Sequence, residues 1–231
     1  MSSRAQFRWE QELSKSFQES ARPNLWSRLK GGTWTLVRES ACSEGRADLV
    51  WGRFEESRSL SKIRRHAHLL QNLTSSRILA ILYRERELSA EDILQKIGIS
   101  RPVLQRWLRT LTEARLIEKD VTDIYSLTLP RKMPKVEICS FELKLKNWQR
   151  ALYQATRYRS FSHRVFVVMP PCSAELAYAQ KHRFEKANIG LVAHDTSGQS
   201  RILVRPKSRR PHATHRTFMA IGMLSASKIK A

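Results

Sequence analysis

Residues 141–159, "FELKLKNWQRALYQATRYR", decide how the rest of the chain is read. Glu142 and Lys144 stand two apart in an apolar run with the character of a strand. Strand side chains alternate between faces, so the acid and the base leave the same face. The pair is either a salt bridge on a sheet surface or half of a metal-dependent site. The following run has helical character. It carries Gln154 and Tyr158 four residues apart, on one helix face.

Outward from this stretch, the strand "VEICSFELKLK" and helix "NWQRALYQATRYRSF" lead into the strand "HRVFVVMP" and the helix "SAELAYAQKHRFEKAN". "IGLVAHDT" and "SRILVRP" close the series as strands. Strands alternating with helices predict an α/β sheet flanked by helices. Upstream, Phe7, Leu13 and Phe17 predict a helix over residues 4–19, which "ARPNLWSRLKGG" breaks. "TWTLVRES" and "RADLVWGRF" alternate as strands around the turn "ACSEG". Residues 60–73 read as a basic helical bridge.

Residues 74–128 change character and predict three helices and a short hairpin. Ser89 caps "AEDILQKI", with Asp92 completing an acidic capping box. Gly98 ends that helix, and Ser100 with Pro102 opens the next. The tight "GIS" turn between two capped helices is a helix-turn-helix signal. "LIEKDVTDIYSLT" supplies two strands around a turn. Length, caps and hairpin in this order resemble the winged helix-turn-helix domains of bacterial transcription regulators. In its second helix, Val103, Leu104, Trp107, Leu108 and Leu111 are expected to face the core, leaving Arg101, Gln105, Arg106 and Arg109 outward. Arg and Gln are the side chains that read guanine and adenine edges in a major groove. A protein-contact or dimerisation role is the alternative for this segment.

The charge balance points the same way. Forty-two Lys and Arg against 21 Asp and Glu give the 231-residue chain a net charge of +21. Such an excess suits a polyanion, with nucleic acid first. No apolar run approaches a spanning helix, and the N-terminus lacks an apolar signal core, so a cytoplasmic protein with no membrane partner is expected. Cys42, Cys139 and Cys172 form neither a zinc pattern nor an even disulfide set.

Phosphodiester hydrolysis uses a divalent metal to polarise the phosphate and activate a water. Mg²⁺ prefers hard oxygen ligands and keeps several waters, so two or three carboxylates suffice. Glu142 supplies one, and Lys144 can orient the water. Asp48, between the turn residue Gly45 and an apolar run, is the best second carboxylate. An acid in a β-hairpin, Glu-x-Lys on the next strand and Gln154-Ala-Thr-Arg-Tyr158 on the following helix resemble the PD-(D/E)XK nuclease superfamily, with its restriction-endonuclease-like fold. Ala47 departs from the proline common before that acid, and the gap from Asp48 to Glu142 is unusually long. A winged-helix insertion accounts for the gap.

The resemblance implies a core from residues 1–60 and 131–210, an insertion at 61–130 and a basic tail at 211–231. It implies a Mg²⁺- or Mn²⁺-dependent DNA endonuclease. Asp48 and Glu142 would hold the metal, Lys144 would position the water, and Gln154 and Tyr158 would support the site. Glu12 or Glu10 would add a further acid from the first helix, and Arg150 and Arg157 would contact phosphates. A homodimer would supply the two sites that two-strand cleavage needs. The alternatives are a DNA-binding regulator or adaptor that keeps the fold without cleaving, and a nuclease directed at RNA. His163, His182, His194, His212 and His215 have no ligand company and read as structural or solvated, Cys139 as core filling, and Asp195 as a turn residue.

Overall fold

The structure, a computed structural model, describes residues 6–20, 26, 33–42, 45–55, 58–128 and 136–227. The turn between the first two strands and the linker "LPRKMPK" lie outside the described residues, as does most of "ARPNLWSRLKGG". The chain divides into two units. One takes the described residues of 1–30, 36–53 and 137–212, and the other those of 31–35, 54–136 and 213–231. No helix among the described residues is long and apolar enough to cross a membrane.

The first unit is mixed α/β. Its six-stranded sheet has the order β1 (Thr33–Cys42), β2 (Gly45–Phe54), β6 (Val136–Leu143), β7 (Arg164–Met169), β8 (Gly190–His194), β9 (Ser200–Val204). The strands missing from that series belong to the other unit. β6, β7 and β8 run parallel, and β9 turns back antiparallel on β8. The parallel strands are buried along almost their whole length, which is why they read as continuous apolar runs. Gly190 lets β8 approach β7, since a Cβ there would stand 2.3 Å from the Phe166 ring.

Helix α1 (Glu10–Ser20) covers one sheet face through Leu13 and Phe17. Phe17 meets Trp26, Trp51 and Phe141 at ring separations of 5.5, 6.3 and 5.2 Å. Each such ring removes roughly 150–250 Å² from water, about 4–6 kcal/mol of transfer free energy before ordering costs. Phe141 is spent on this face, so the next residue, Glu142, turns to the opposite one. There α7 (Trp148–Arg157) packs on β7, followed by α8 (Pro171–Tyr178) and α9 (Lys181–Ala187) against β8. Asn147 starts α7 from a left-handed backbone, φ 54°, and its side-chain oxygen accepts from the Arg150 amide.

The second unit begins with α2 (Arg58–Arg65), α3 (Ala67–Gln71) and α4 (Leu73–Glu85). A short β3 (Glu87–Ser89), α5 (Ala90–Ile97), α6 (Arg101–Glu113), β4 (Ile117–Lys119) and β5 (Ile124–Leu127) follow, the strands pairing in the order β3-β5-β4. The capping box expected at Ser89 forms in both directions, and Gly98 ends α5 at φ 68°. Ser100 stands at the N-cap of α6 without a side-chain cap bond. Leu104, Leu108 and Leu111 are buried as expected, whereas Val103 and Trp107 are only half-buried.

The last part of the chain differs from its expected form. Residues 211–231, read as a basic tail, contain helix α10 (Thr214–Ala226), which packs on α3 and α4 within the second unit. Phe218, Ile221 and Leu224 are buried, and Phe218 meets Tyr83 edge-on at 6.1 Å. Hydrophobic burial outweighs the charge of the flanking residues. That charge had hidden an apolar helical run in "FMAIGML".

Candidate active site

β2 and β6 are sheet neighbours although they are far apart in sequence. Asp48 on β2 accepts the Leu143 amide proton through Oδ2 at 2.7 Å, across 95 positions of chain. That bond fixes a half-buried carboxylate beside Glu142 and Lys144. The first consequence is electrostatic. Burial is the main cause that pushes the Glu142 carboxyl up to about 7, and the Asp48 charge adds to it. The Tyr158 hydrogen bond and Lys144 oppose this rise without cancelling it.

Glu142 is 1% exposed. Its Oε2 lies 2.5 Å from the Tyr158 hydroxyl, and its Oε1 lies 3.5 Å from Lys144 Nζ. Tyr158, at the end of α7, also reaches the Arg46 carbonyl on β2 at 2.9 Å. One phenol thus ties α7 to both strands that carry the acids. Lys144 donates to Glu10 Oε2 at 2.9 Å. Desolvation lowers the ammonium's proton affinity, but Glu10, Glu142 and Asp48 raise it by more. Lys144 is therefore a cation, suited to holding a phosphate or orienting a water rather than to removing a proton.

Of the two acids considered on the first helix, Glu10 reaches the site and Glu12 does not. Glu12 turns back to accept the Arg8 amide at 2.8 Å, closing the N-terminus of its own helix. The choice depends on the start of α1, which falls at Glu10 instead of residue 4. Gln154 lies one turn before Tyr158 on α7. Its side-chain oxygen is buried with no hydrogen-bond partner.

A cleft of about 1200 Å³ opens at the ends of β6, β7 and β8. The ends of parallel strands, with helices on the sheet, are where open α/β folds place their ligands. Lys144, Lys146, Arg150, Arg8 and Arg201 line it with Glu10, Glu175 and Asp195. Glu10 is engaged by Lys144, and Glu175 lies 3.7 Å from Arg201. Asp195 accepts from the Ser197 and Gln199 amides of its own turn, as a turn residue should. Arg8, Lys146 and Arg150 are left without an ion pair among the described residues. Arg157 is committed differently, lying over the Tyr153 ring at 4.7 Å and donating to its hydroxyl at 3.0 Å.

Among the described residues no three His, Cys, Asp or Glu side chains cluster as a ready-made ion cage. The donors at hand are the Asp48 and Glu142 carboxylates. That set fits an ion that keeps most of its shell as water, as Mg²⁺ does. The orphaned Gln154 oxygen is the kind of acceptor a water-rich shell would satisfy. His194 is buried between Ser16 and Ser200, at 3.0 and 2.8 Å, and burial holds its basicity down, so it is structural. Cys139 is buried with its thiol proton affinity raised by desolvation, consistent with core filling.

On α6, Gln105, Arg106 and Arg109 are exposed. Arg101 is exposed too, but its guanidinium meets Glu91 at 2.5 Å. The β4–β5 hairpin tip is acidic, with Asp120 and Asp123 on either side of a fully exposed Val121. Such a tip is a poor match for phosphate.

No protein-family profile matches this chain, and neither a curated protein nor a solved structure does.

Proposed function

We propose that this chain is a metal-dependent DNA endonuclease of the PD-(D/E)XK type, with a DNA-binding winged helix inserted between β2 and β6. The observation that carries the reading is the meeting of Asp48 and Glu142 on neighbouring strands, with Lys144 beside them and Tyr158 bridging both strands. A surface salt bridge needs none of this, and it would not bury a carboxylate to 1% exposure.

In this reading Asp48 and Glu142 hold Mg²⁺ or Mn²⁺, which supplies polarisation of the phosphate and a more acidic water. Lys144 faces the scissile phosphate and orients the water. Glu10 fixes the Lys144 ammonium, and Tyr158 fixes the Glu142 rotamer. Gln154 accepts from water at the site. Arg8, Lys146 and Arg150 hold the flanking phosphates, and Gln105, Arg106 and Arg109 of α6 contact duplex.

The second reading is a regulator or adaptor that keeps this architecture and binds DNA without cutting it. It is favoured by the deep burial of Glu142, whose two oxygens already have partners. The two readings separate when the protein is incubated with plasmid and with linear single-stranded DNA, in Mg²⁺, Mn²⁺ or EDTA. Nicking or digestion that EDTA stops supports the nuclease. Binding without cleavage in either metal supports the regulator.

A further inference from the structure

Residues 205–212, "RPKSRRPH", follow β9 with neither helix nor strand, yet their backbone is tied down. Pro206 is buried over Gly190, where a Cβ would stand 2.8 Å from its Cδ. The Lys207 amide donates to Asn188 Oδ1, and its carbonyl accepts from Asn188 Nδ2, each at 2.9 Å. Asn188 does this from a left-handed backbone, φ 55°, which asparagine tolerates better than most residues. The Arg209 amide donates to the His163 carbonyl at 3.0 Å, and the His212 amide to the Arg159 carbonyl at 3.3 Å. On the strap's side all these bonds use backbone atoms. The Lys207, Arg209 and Arg210 side chains are exposed, and none has an ion pair among the described residues. No Asp or Glu follows Asp195 in the sequence.

Strand direction fixes where this strap lies. His163 stands just before β7, and Asn188 is close before β8. The cleft is lined instead by Lys144, Pro170 and Asp195, which directly follow β6, β7 and β8. Those strands are parallel, so strap and cleft lie at opposite ends of the sheet. The six residues of β7, at about 3.3 Å each, put roughly 20 Å between them.

An exposed run of charge ordinarily belongs to a solvated loop. Holding one still costs conformational entropy, which a buried proline and four hydrogen bonds offset here. Fixed cations that repel one another suit a polyanion, and their prior order lowers the cost of binding it. A nucleic-acid backbone has the matching chemistry, with one negative charge per about 1.7 Å of duplex axis.

We propose that residues 205–210 form a second DNA-backbone site, remote from the cleft, with phosphates on Lys207, Arg209 and Arg210. The site uses none of the groups around Asp48 and Glu142, so it stands whether the chain cuts DNA or only binds it.

The test is binding of the full chain to a labelled hairpin duplex in EDTA, by fluorescence anisotropy at several salt concentrations. Combining Lys207→Gln, Arg209→Gln and Arg210→Gln should make log affinity against log salt shallower by about 2.7, at roughly 0.9 per phosphate contact. The wild type's advantage should therefore shrink about 40-fold from about 50 to 200 mM salt. The anchoring atoms are in the backbone, so circular dichroism and melting of the variant should match wild type. A second measurement needs no variant: bound duplex should protect Lys207 of the wild type from an amine reagent, read by mass spectrometry. An unchanged salt slope in the folded variant, or equal labelling of Lys207 with and without duplex, overturns the proposal. The same variant is tested on phosphatidylserine–phosphatidylcholine vesicles. Lost vesicle binding with an unchanged duplex slope would make the strap a membrane-surface site and also overturns it. Both readouts are made without metal, so this result and the cleavage result stand or fall separately.

Discussion

The Tyr158 hydroxyl stands 2.5 Å from Glu142 Oε2 and 2.9 Å from the Arg46 carbonyl. Both neighbours are acceptors when Glu142 is ionised, and a phenol has one proton to give. One phenol proton is thus shared between two acceptors, and its bond to Glu142 only partly opposes the burial that pushes that carboxyl up to about 7.

A pH dependence follows. Glu142 ionises with an ordinary value of 4.5 when unfolded and about 7 when folded. Between these pH values the folded state holds a proton that the unfolded state has lost, so stability falls as pH rises. The full loss, about 3 kcal/mol at roughly 1.4 kcal/mol per tenfold change in proton affinity, is reached above pH 7. Urea unfolding in EDTA from pH 4.5 to 8 should show it as a difference between wild type and Glu142→Gln. The difference removes the opposite slope that buried, weakly basic histidines such as His194 contribute. Parallel curves for the two proteins would show that Glu142 is ionised throughout. Metal binding needs the ionised carboxylate, so metal affinity should rise with pH toward the same midpoint.

Helix α10 carries a packing prediction. A Cβ on Gly222 would stand 2.7 Å from the Ala67 carbonyl and 2.7 Å from Leu70 Cβ, neither of which can yield easily. Gly222→Ala should cost about 1–3 kcal/mol in chemical unfolding, as overpacking does. Gly98→Ala meets nothing within 4 Å, so its cost is only that of a left-handed backbone at φ 68°. Truncation after residue 212 should expose the faces of α3 and α4 that α10 covers and promote aggregation. If Gly222→Ala and the truncated chain unfold like wild type, α10 does not stabilise this unit.

Much of this arrangement was legible because the local signals agreed with the fold. The capping box at Ser89, the glycine stop at Gly98 and the β-rich runs flanking α7 each report their own element. Asp48 was legible because it lies between a turn and an apolar strand. What escaped the reading depends on relations between distant parts. Glu10 and Glu12 are both acids on one helix, and where α1 starts, with Glu12 turned back onto the Arg8 amide, decides which one faces Lys144. The apolar stripe of α10 carries one basic residue, Arg216, and lies between the basic residues Arg209 and Arg210 before it and Lys228 and Lys230 after it, so net charge over the segment masks it. The burial of Glu142 was hidden because a Glu-x-Lys pair reads the same on an exposed strand as on a central one.

On α6 the arginines should differ. Arg106→Ala and Arg109→Ala are each expected to cost about 1–3 kcal/mol in duplex affinity if they read base edges. Arg101→Ala should cost less, because its guanidinium is already held by Glu91. Competition with duplexes of varied sequence separates the modes: a loss on some sequences indicates base contacts, and a uniform loss with a shallower salt dependence indicates phosphate contacts. Affinity unchanged by all three substitutions would assign this helix to protein contacts.

The sharpest discrimination lies at the site itself, where isosteric changes are expected to keep the fold and to remove the chemistry that the nuclease reading assigns to it. Asp48→Asn keeps an oxygen for the Leu143 amide, and Glu142→Gln keeps one for Tyr158, yet each deletes a carboxylate that the nuclease reading assigns to the metal. Both should abolish metal-dependent cleavage and leave DNA affinity in EDTA near wild type. Lys144→Ala should lower the cleavage rate by about 100- to 10,000-fold, the span for losing a positioned water-activating group, while metal affinity is retained. Glu10→Ala should lower the rate less, because it only releases the ammonium it holds. Glu12→Ala should leave cleavage unchanged, since Glu12 serves its own helix terminus at a cost of about 1 kcal/mol or less. Steady-state nicking rates on supercoiled plasmid, with metal affinity from calorimetry, give this ranking directly. Equal rates for Asp48→Asn, Glu142→Gln and wild type would place the chemistry elsewhere and leave "ELK" as a buried structural ion pair. A Glu12→Ala loss larger than that of Glu10→Ala would mean that α1 presents a different face to Lys144 when DNA is bound.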